Sequence, residues 1–169
     1  LKQITSAAQI QNSGLKDFVS NNAHNMIVLD IADTAANIYS ALVGSGAAAF
    51  KSQMATVFGG NGLGSSVKIL DTVANIKASY DRGEFAAMES AANGFLGANN
   101  GGLSLRVKDT VANINAFLAN GTYGSLDAKT SSYIVVDTVA NLINAFENDN
   151  WSSAVDTANN IFVKDTYAN

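Results

Sequence analysis

Apolar residues change their spacing along this chain at regular places, and each change falls on the same short phrase. Ahead of the phrase every second residue is apolar: Leu29 and Ile31, Val67 and Ile69, Leu105 and Val107, Tyr133 and Val135, Ile161 and Val163. Alternation of branched and large apolar residues predicts a strand with one buried face. Behind the phrase the spacing becomes three and four, as in Val73, Ile76 and Tyr80, in Val111, Ile114 and Leu118, and in Val139, Leu142 and Phe146. That spacing puts the side chains on one face of a helix.

The phrase itself is Asp-Thr-Val-Ala-Asn-Ile, at Asp71–Ile76 and again at Asp109–Ile114. Near-copies stand at Asp33–Ile38, Asp137–Leu142 and Asp165–Asn169, and a degenerate one at Thr5–Ile10. The copies start at 5, 33, 71, 109, 137 and 165, so the intervals are 28, 38, 38, 28 and 28. Two lengths differing by ten residues fit a repeat with an optional helical extension. Self-similarity in this range of periods means a stacked array.

Turn-forming residues follow each first helix: Gly44-Ser45-Gly46, Asp81-Arg82-Gly83, Asn120-Gly121 and Asn148-Asp149-Asn150. A second helical piece comes next, long at Ala47–Phe58 and Glu84–Phe95, short near Ser125–Lys129 and Trp151–Asn159. Glycine-rich turns at 59–62 and 99–102 return the longer units to a strand. Strand, helix and return to a parallel strand is a right-handed crossover. Repeated about five times, it predicts an α/β fold: a βα solenoid of 28- or 38-residue units, parallel sheet on one side, in a single repeat domain over 1–169, continued either by further repeats of a longer array or by another copy of the protein. Strands pack about 4.8 Å apart and helices about 10 Å apart, so such a stack curves with its strands inside. The alternative is an all-α repeat array with extended linkers.

Within the phrase each residue type has a mechanical reading. Asp33, Asp71, Asp109, Asp137 and Asp165 sit where strand becomes helix and are read as helix caps, each worth about 1 kcal/mol. The alanine three places on is read as a point of close helix–strand approach. Asn37, Asn75, Asn113 and Asn141 are read as buried residues that tie one coil to the next in a ladder. A catalytic group repeated at every turn is a poor reading of the aspartates, and no enzymatic activity is expected.

Composition narrows the chemistry. Charged residues are 14% of the chain, well under the usual quarter, and Asn, Ser, Thr, Gln and Gly supply the polarity instead. A net charge of −4 argues against nucleic acid as a partner. Cysteine is absent, which removes disulfides, zinc–thiolate sites and thiol nucleophiles together. His24 is the single histidine and is read as solvated or satisfied, and Trp151 as core. The stretch 59–64 begins like a calcium-binding glycine-rich nonapeptide but has Gly64 where an Asp is required. Glu147–Asn150 lacks the loop pattern of an EF-hand. Both are read as turns, and no cofactor or metal is expected. No apolar run reaches the ~20 residues of a membrane span.

One distribution stands out. If the residues two and four places before each Asp face the helices, those one and three places before it face the open side of the sheet. Five of the ten basic residues fall there: Lys2, Lys68, Arg106, Lys108 and Lys164. The same face carries Leu70, Ile134, Val136 and Phe162, too apolar to stand free. The expectation is an interface made by Lys68, Leu70, Arg106, Lys108, Ile134, Val136, Phe162 and Lys164, covered by another subunit, another segment or an anionic glycan.

The signature hydrophobic-x-hydrophobic-x-Asp-Thr-Ala/Val-Ala-Asn-Ile, carried by Leu29–Ile38, Val67–Ile76, Leu105–Ile114 and Tyr133–Leu142, resembles repeats of very large secreted bacterial surface proteins of the adhesin and surface-layer kind. The resemblance spans nearly the whole chain and implies an extracellular or cell-surface location. Many such proteins carry calcium-binding glycine-rich arrays, which this chain lacks. Leu1–Ile4 reads as a strand and Ile161–Asn169 as a strand with the first turn of a helix, neither bearing the polar cap of a solenoid end. The expected function is therefore structural: head-to-tail association with copies of itself into a filament or surface layer, or adhesion. The alternative is a monomeric binding module whose concave strand face takes an anionic glycan, such as a cell-surface polysaccharide, or a peptide.

Overall fold

A computed structural model of the protein describes residues 2–5, 28–58, 66–96, 102–151, 156, 158 and 160–164. In chain order these form β1 (Lys2–Thr5), β2 (Val28–Asp33), α1 (Ala35–Leu42), α2 (Ala47–Phe58), β3 (Ser66–Asp71), α3 (Val73–Asp81), α4 (Glu84–Leu96), β4 (Leu103–Asp109) and α5 (Val111–Leu118). A 3-10 turn at Gly121–Tyr123, α6 (Gly124–Asp127), β5 (Thr130–Asp137), α7 (Val139–Glu147) and β6 (Asn160–Val163) complete the sequence. The described strand pairings are parallel, as an α/β crossover requires, and the all-α alternative is overturned by them. The degenerate copy at Thr5–Ile10 beyond its first residue, His24, the stretch 59–64 and the last copy from Asp165 lie outside the described residues, as does most of Trp151–Asn159.

The chain divides into two compact units. The first holds Leu1–Ile69 with Ser79–Ser104; there β1 pairs with β2 and β2 with β3. Ile31, Val67 and Ile69 are fully buried, and Ile38, Leu42, Phe50 and Met88 come from the helices onto the same core. The turn between α3 and α4 is made by Gly83, whose φ of 73° is open to glycine at little steric cost. Arg82 there donates from Nε to Glu84 Oε1 at 2.7 Å, while the Ser79 hydroxyl donates to Glu84 Oε2 at 2.8 Å. The Arg82 and Ser79 hydrogen bonds hold the Glu84 carboxyl below its ordinary range.

The second unit holds Leu70–Ala78 with Leu105–Asn169; there β4 pairs with β5 and β5 with β6. Its core gathers Ile76, Val107, Val111, Ile114, Phe117, Leu126 and Val135. Phe117 and Tyr123 stack at 6.0 Å, and the Lys77 ammonium lies 4.8 Å over the Tyr123 ring. Tyr133 closes the underside: its hydroxyl donates to the Asp127 carboxylate. Burial, reinforced by that bond, raises the Tyr133 pKa above the ordinary phenol value.

Burial along the strands follows the predicted alternation. In β3, Val67 and Ile69 are buried while Lys68 and Leu70 are half-exposed. β4 and β5 repeat the pattern with Leu105 and Val107, and with Tyr133 and Val135, on the covered side. In the helices the buried face is narrower than the spacing predicts. Val111, Ile114 and Phe117 are buried in α5, whereas Val139 and Phe146 of α7 are 43% and 72% exposed. Trp151 is half-buried rather than core, its ring edge-on to exposed Phe146 at 6.3 Å.

Candidate interface: the repeat junctions and the open strand face

The strand-to-helix junctions distribute their roles differently from the sequence expectation. The N-cap is the threonine, not the aspartate: Thr34, Thr110 and Thr138 each take an extended conformation, and their hydroxyls accept from the backbone N–H of Asn37, Asn113 and Asn141. Thr72 does the same for Asn75 at 3.4 Å. The aspartate stands one residue earlier and uses its two oxygens separately. Oδ1 of Asp109 accepts from the Thr110 N–H at 2.8 Å and from the Asn113 side-chain amide at 2.7 Å. The same pair of contacts recurs at Asp33, Asp71 and Asp137.

The second oxygen reaches another repeat. Oδ2 of Asp109 accepts from the N–H of Val73, the first residue of α3, at 2.9 Å. Oδ2 of Asp137 accepts from the N–H of Val111, the first residue of α5, at 3.1 Å. Strand register explains the reach. Asp109 lies beside Val135, and Asp137 beside Val163, so each strand is slid by two residues against its equivalent neighbour. That slide brings Asp137 level with the start of α5. The tie between repeats is therefore made by aspartate.

The asparagines have a local role instead. Asn37, Asn75, Asn113 and Asn141 are exposed, and each side-chain amide donates back to the Asp of its own phrase. Each asparagine is the third residue of its helix and stands four residues after its Asp, whose carboxylate can only accept. The alanines are exposed as well: Ala36, Ala74, Ala112 and Ala140 mark no close approach to a strand. Small side chains there leave the first helical turn open. Glu147–Asn150 forms a turn, with Asp149 at φ 52° and the Asn150 N–H donating to the Ala145 carbonyl at 3.0 Å.

Of the predicted interface residues, Leu70, Arg106, Lys108, Ile134, Val136, Phe162 and Lys164 belong to the second unit, and Lys68 to the first. Lys68, Leu70, Arg106, Ile134 and Val136 are half-exposed, while Lys108, Phe162 and Lys164 are exposed. The structure brings Leu70, Lys108, Val136 and Lys164 to one depression of about 620 Å³ at the carboxyl ends of the strands. Sequence reasoning missed its rim, formed by Asp71, Asp109 and Asp137 with Thr72, Thr110 and Thr138. Their recurrence was the signal, but it reads equally well as capping. Among the described residues no group of three His, Cys, Asp or Glu is placed to hold a metal ion, and no helix is long and apolar enough to cross a membrane.

Comparison of the chain with family models, with curated proteins and with solved structures returns no match.

Proposed function

We propose that the protein is a non-enzymatic structural component of the cell exterior, whose βα repeats associate end to end into a filament or surface layer. The observation that carries this reading is the exposure of core positions in the last described repeat elements. Ile161 and Val163 of β6 are 44% and 56% exposed, although they hold the strand places that are buried in β3, β4 and β5. Val139, Ile143 and Phe146 of α7 are 43%, 50% and 72% exposed as well. A repeat unit cannot bury its own hydrophobic face and relies on the next one. A second copy of this chain, made of the same repeats, supplies such a neighbour. Contacts of this head-to-tail kind are heterologous and run on into open fibres. The repeat phrase, which resembles those of secreted bacterial surface proteins, supports the extracellular setting.

Electron microscopy of the purified chain over a range of concentrations tests the reading. Linear or sheet-like assemblies that lengthen with concentration are expected. Monodisperse particles at high concentration would contradict it.

A further inference from the structure

Asparagine is abundant in this chain, yet the triplet Asn-x-Ser/Thr occurs only at Asn120-Gly121-Thr122 and Asn150-Trp151-Ser152. Glycans are attached to asparagine within that triplet, on surface turns of secreted proteins. The three residues alone decide nothing, since an asparagine-rich chain meets them by chance. What decides is the turn that carries them. Ser152 lies outside the described residues, so the first triplet is the one described in full.

This turn is short and anchored at both ends. Phe117 near the end of α5 and Tyr123 at the end of the 3-10 turn are buried and stacked on each other. Asn120, Gly121 and Thr122 between them are all exposed. Asn120 has an extended backbone and caps the 3-10 turn: its Oδ1 accepts from the Thr122 N–H at 3.1 Å, and its carbonyl from the Tyr123 N–H at 3.1 Å. Asparagine favours such turns because its side chain can bond the backbone two residues on. A side chain begun at Gly121 would meet no atom within 4 Å, so the middle of the triplet faces open space.

The side-chain nitrogen is what sets Asn120 apart. The asparagines of the repeat phrase donate Nδ2 to the aspartate of their own junction. Asn115 and Asn148 donate theirs to the carbonyls of Asn150 and Asn144. In Asn120 the amide is fixed through Oδ1, while Nδ2 donates to nothing among the described residues. A held, exposed amide with a free nitrogen and a hydroxyl two residues on is a complete acceptor.

We infer that Asn120 is the attachment site of a covalent glycan, an inference that rests on the exterior setting proposed above. The donor is a sugar esterified at C1 to a diphosphate, and a glycosyltransferase joins the two. A bond forms between C1 and Nδ2, and the C1–O bond to the diphosphate breaks. The diphosphate leaves with that electron pair, and Nδ2 gives up one proton. The transferase recognises the Thr122 hydroxyl as the third residue of the triplet. A bulky, hydrated group here keeps other chains from packing on this turn. No residue of α7 or β6 takes part, so end-to-end association can fail without it.

Intact mass and peptide mapping of the full chain from its native source test this, beside N120Q, T122V and T122S expressed there. The expected parent is heavier by one sugar residue or more, with the added mass on the peptide holding Asn120. That mass should be absent from N120Q and T122V and kept in T122S. T122V leaves the backbone bond to Asn120 Oδ1 in place, and an unchanged melting curve verifies its fold. An unmodified Asn120 in protein recovered from outside the cell would overturn the inference and leave the exterior setting standing. Unmodified protein recovered only from inside the cell would overturn both. Added mass that persists in T122V would overturn the inference as well.

Discussion

Leu105 on β4 and Ile161 on β6 hold the same place in the repeat, four residues before the Asp, yet Leu105 is 1% exposed and Ile161 44%. Val111 on α5 and Val139 on α7 make a second such pair, at 3% and 43%. Residue type and local structure are matched within each pair. What differs is how far each is covered. The same phrase thus yields core in one place and an apolar surface in another.

Truncation at matched positions breaks this comparison most sharply. Leu105→Ala should cost about 3 kcal/mol, because it leaves a cavity in a closed core, while Ile161→Ala should cost less than about 1 kcal/mol. Urea denaturation of the two variants measures the difference; equal losses would show that β6 is as well covered as β4. The junctions come next. Asp109 accepts from Thr110, Asn113 and, on α3, Val73. Asp109→Ala should therefore lose about 2 kcal/mol, and Asn113→Ala about half as much, since only the local bond goes. Were the two losses equal, the Asp109 contacts to Thr110 and Val73 would contribute nothing.

A smaller effect is confined to alkaline solution. Burial, then the bond to Asp127, raises the Tyr133 pKa in the folded state. The folded protein thus holds the phenol proton more tightly than the unfolded chain does. The stabilisation is complete below the unfolded value of about 10 and is lost as pH climbs from there through the folded value. Thermal melts across that window should show Tyr133→Phe losing less stability with rising pH than the parent, so that the gap between the two is full near neutrality and narrows as pH climbs. A constant difference at every pH would contradict the assignment.

The alternation ahead of each Asp, the change to helical spacing behind it and the turn at 81–83 were all readable because each depends on residues near one another in sequence. Ala47–Phe58 and the start of the following long helix at Glu84 follow from the same local signals. Register is a different kind of quantity. Nothing in the order of residues states that Asp109 stands beside Val135, and a shift of one residue would have turned every side chain to the other face. The slide of two residues keeps the faces and changes the neighbours. It carries Asp109 and Asp137 to the preceding helix and leaves the asparagines to brace their own junctions. The open-face residues were legible as a row; their meeting with the Asp–Thr rim at one depression was not, because that too depends on register.

The proposed assembly makes the exposed core positions of α7 and β6 the surface on which the next copy docks. Sedimentation velocity of the parent beside F146E/V163E tests it directly. Both residues are more than half exposed, at 72% and 56%, so the variant should fold with the melting curve of the parent. The predicted result is a parent whose sedimentation grows with concentration and a variant that stays at the monomer value throughout. A variant that assembles as the parent does, with its fold intact, would contradict the claim.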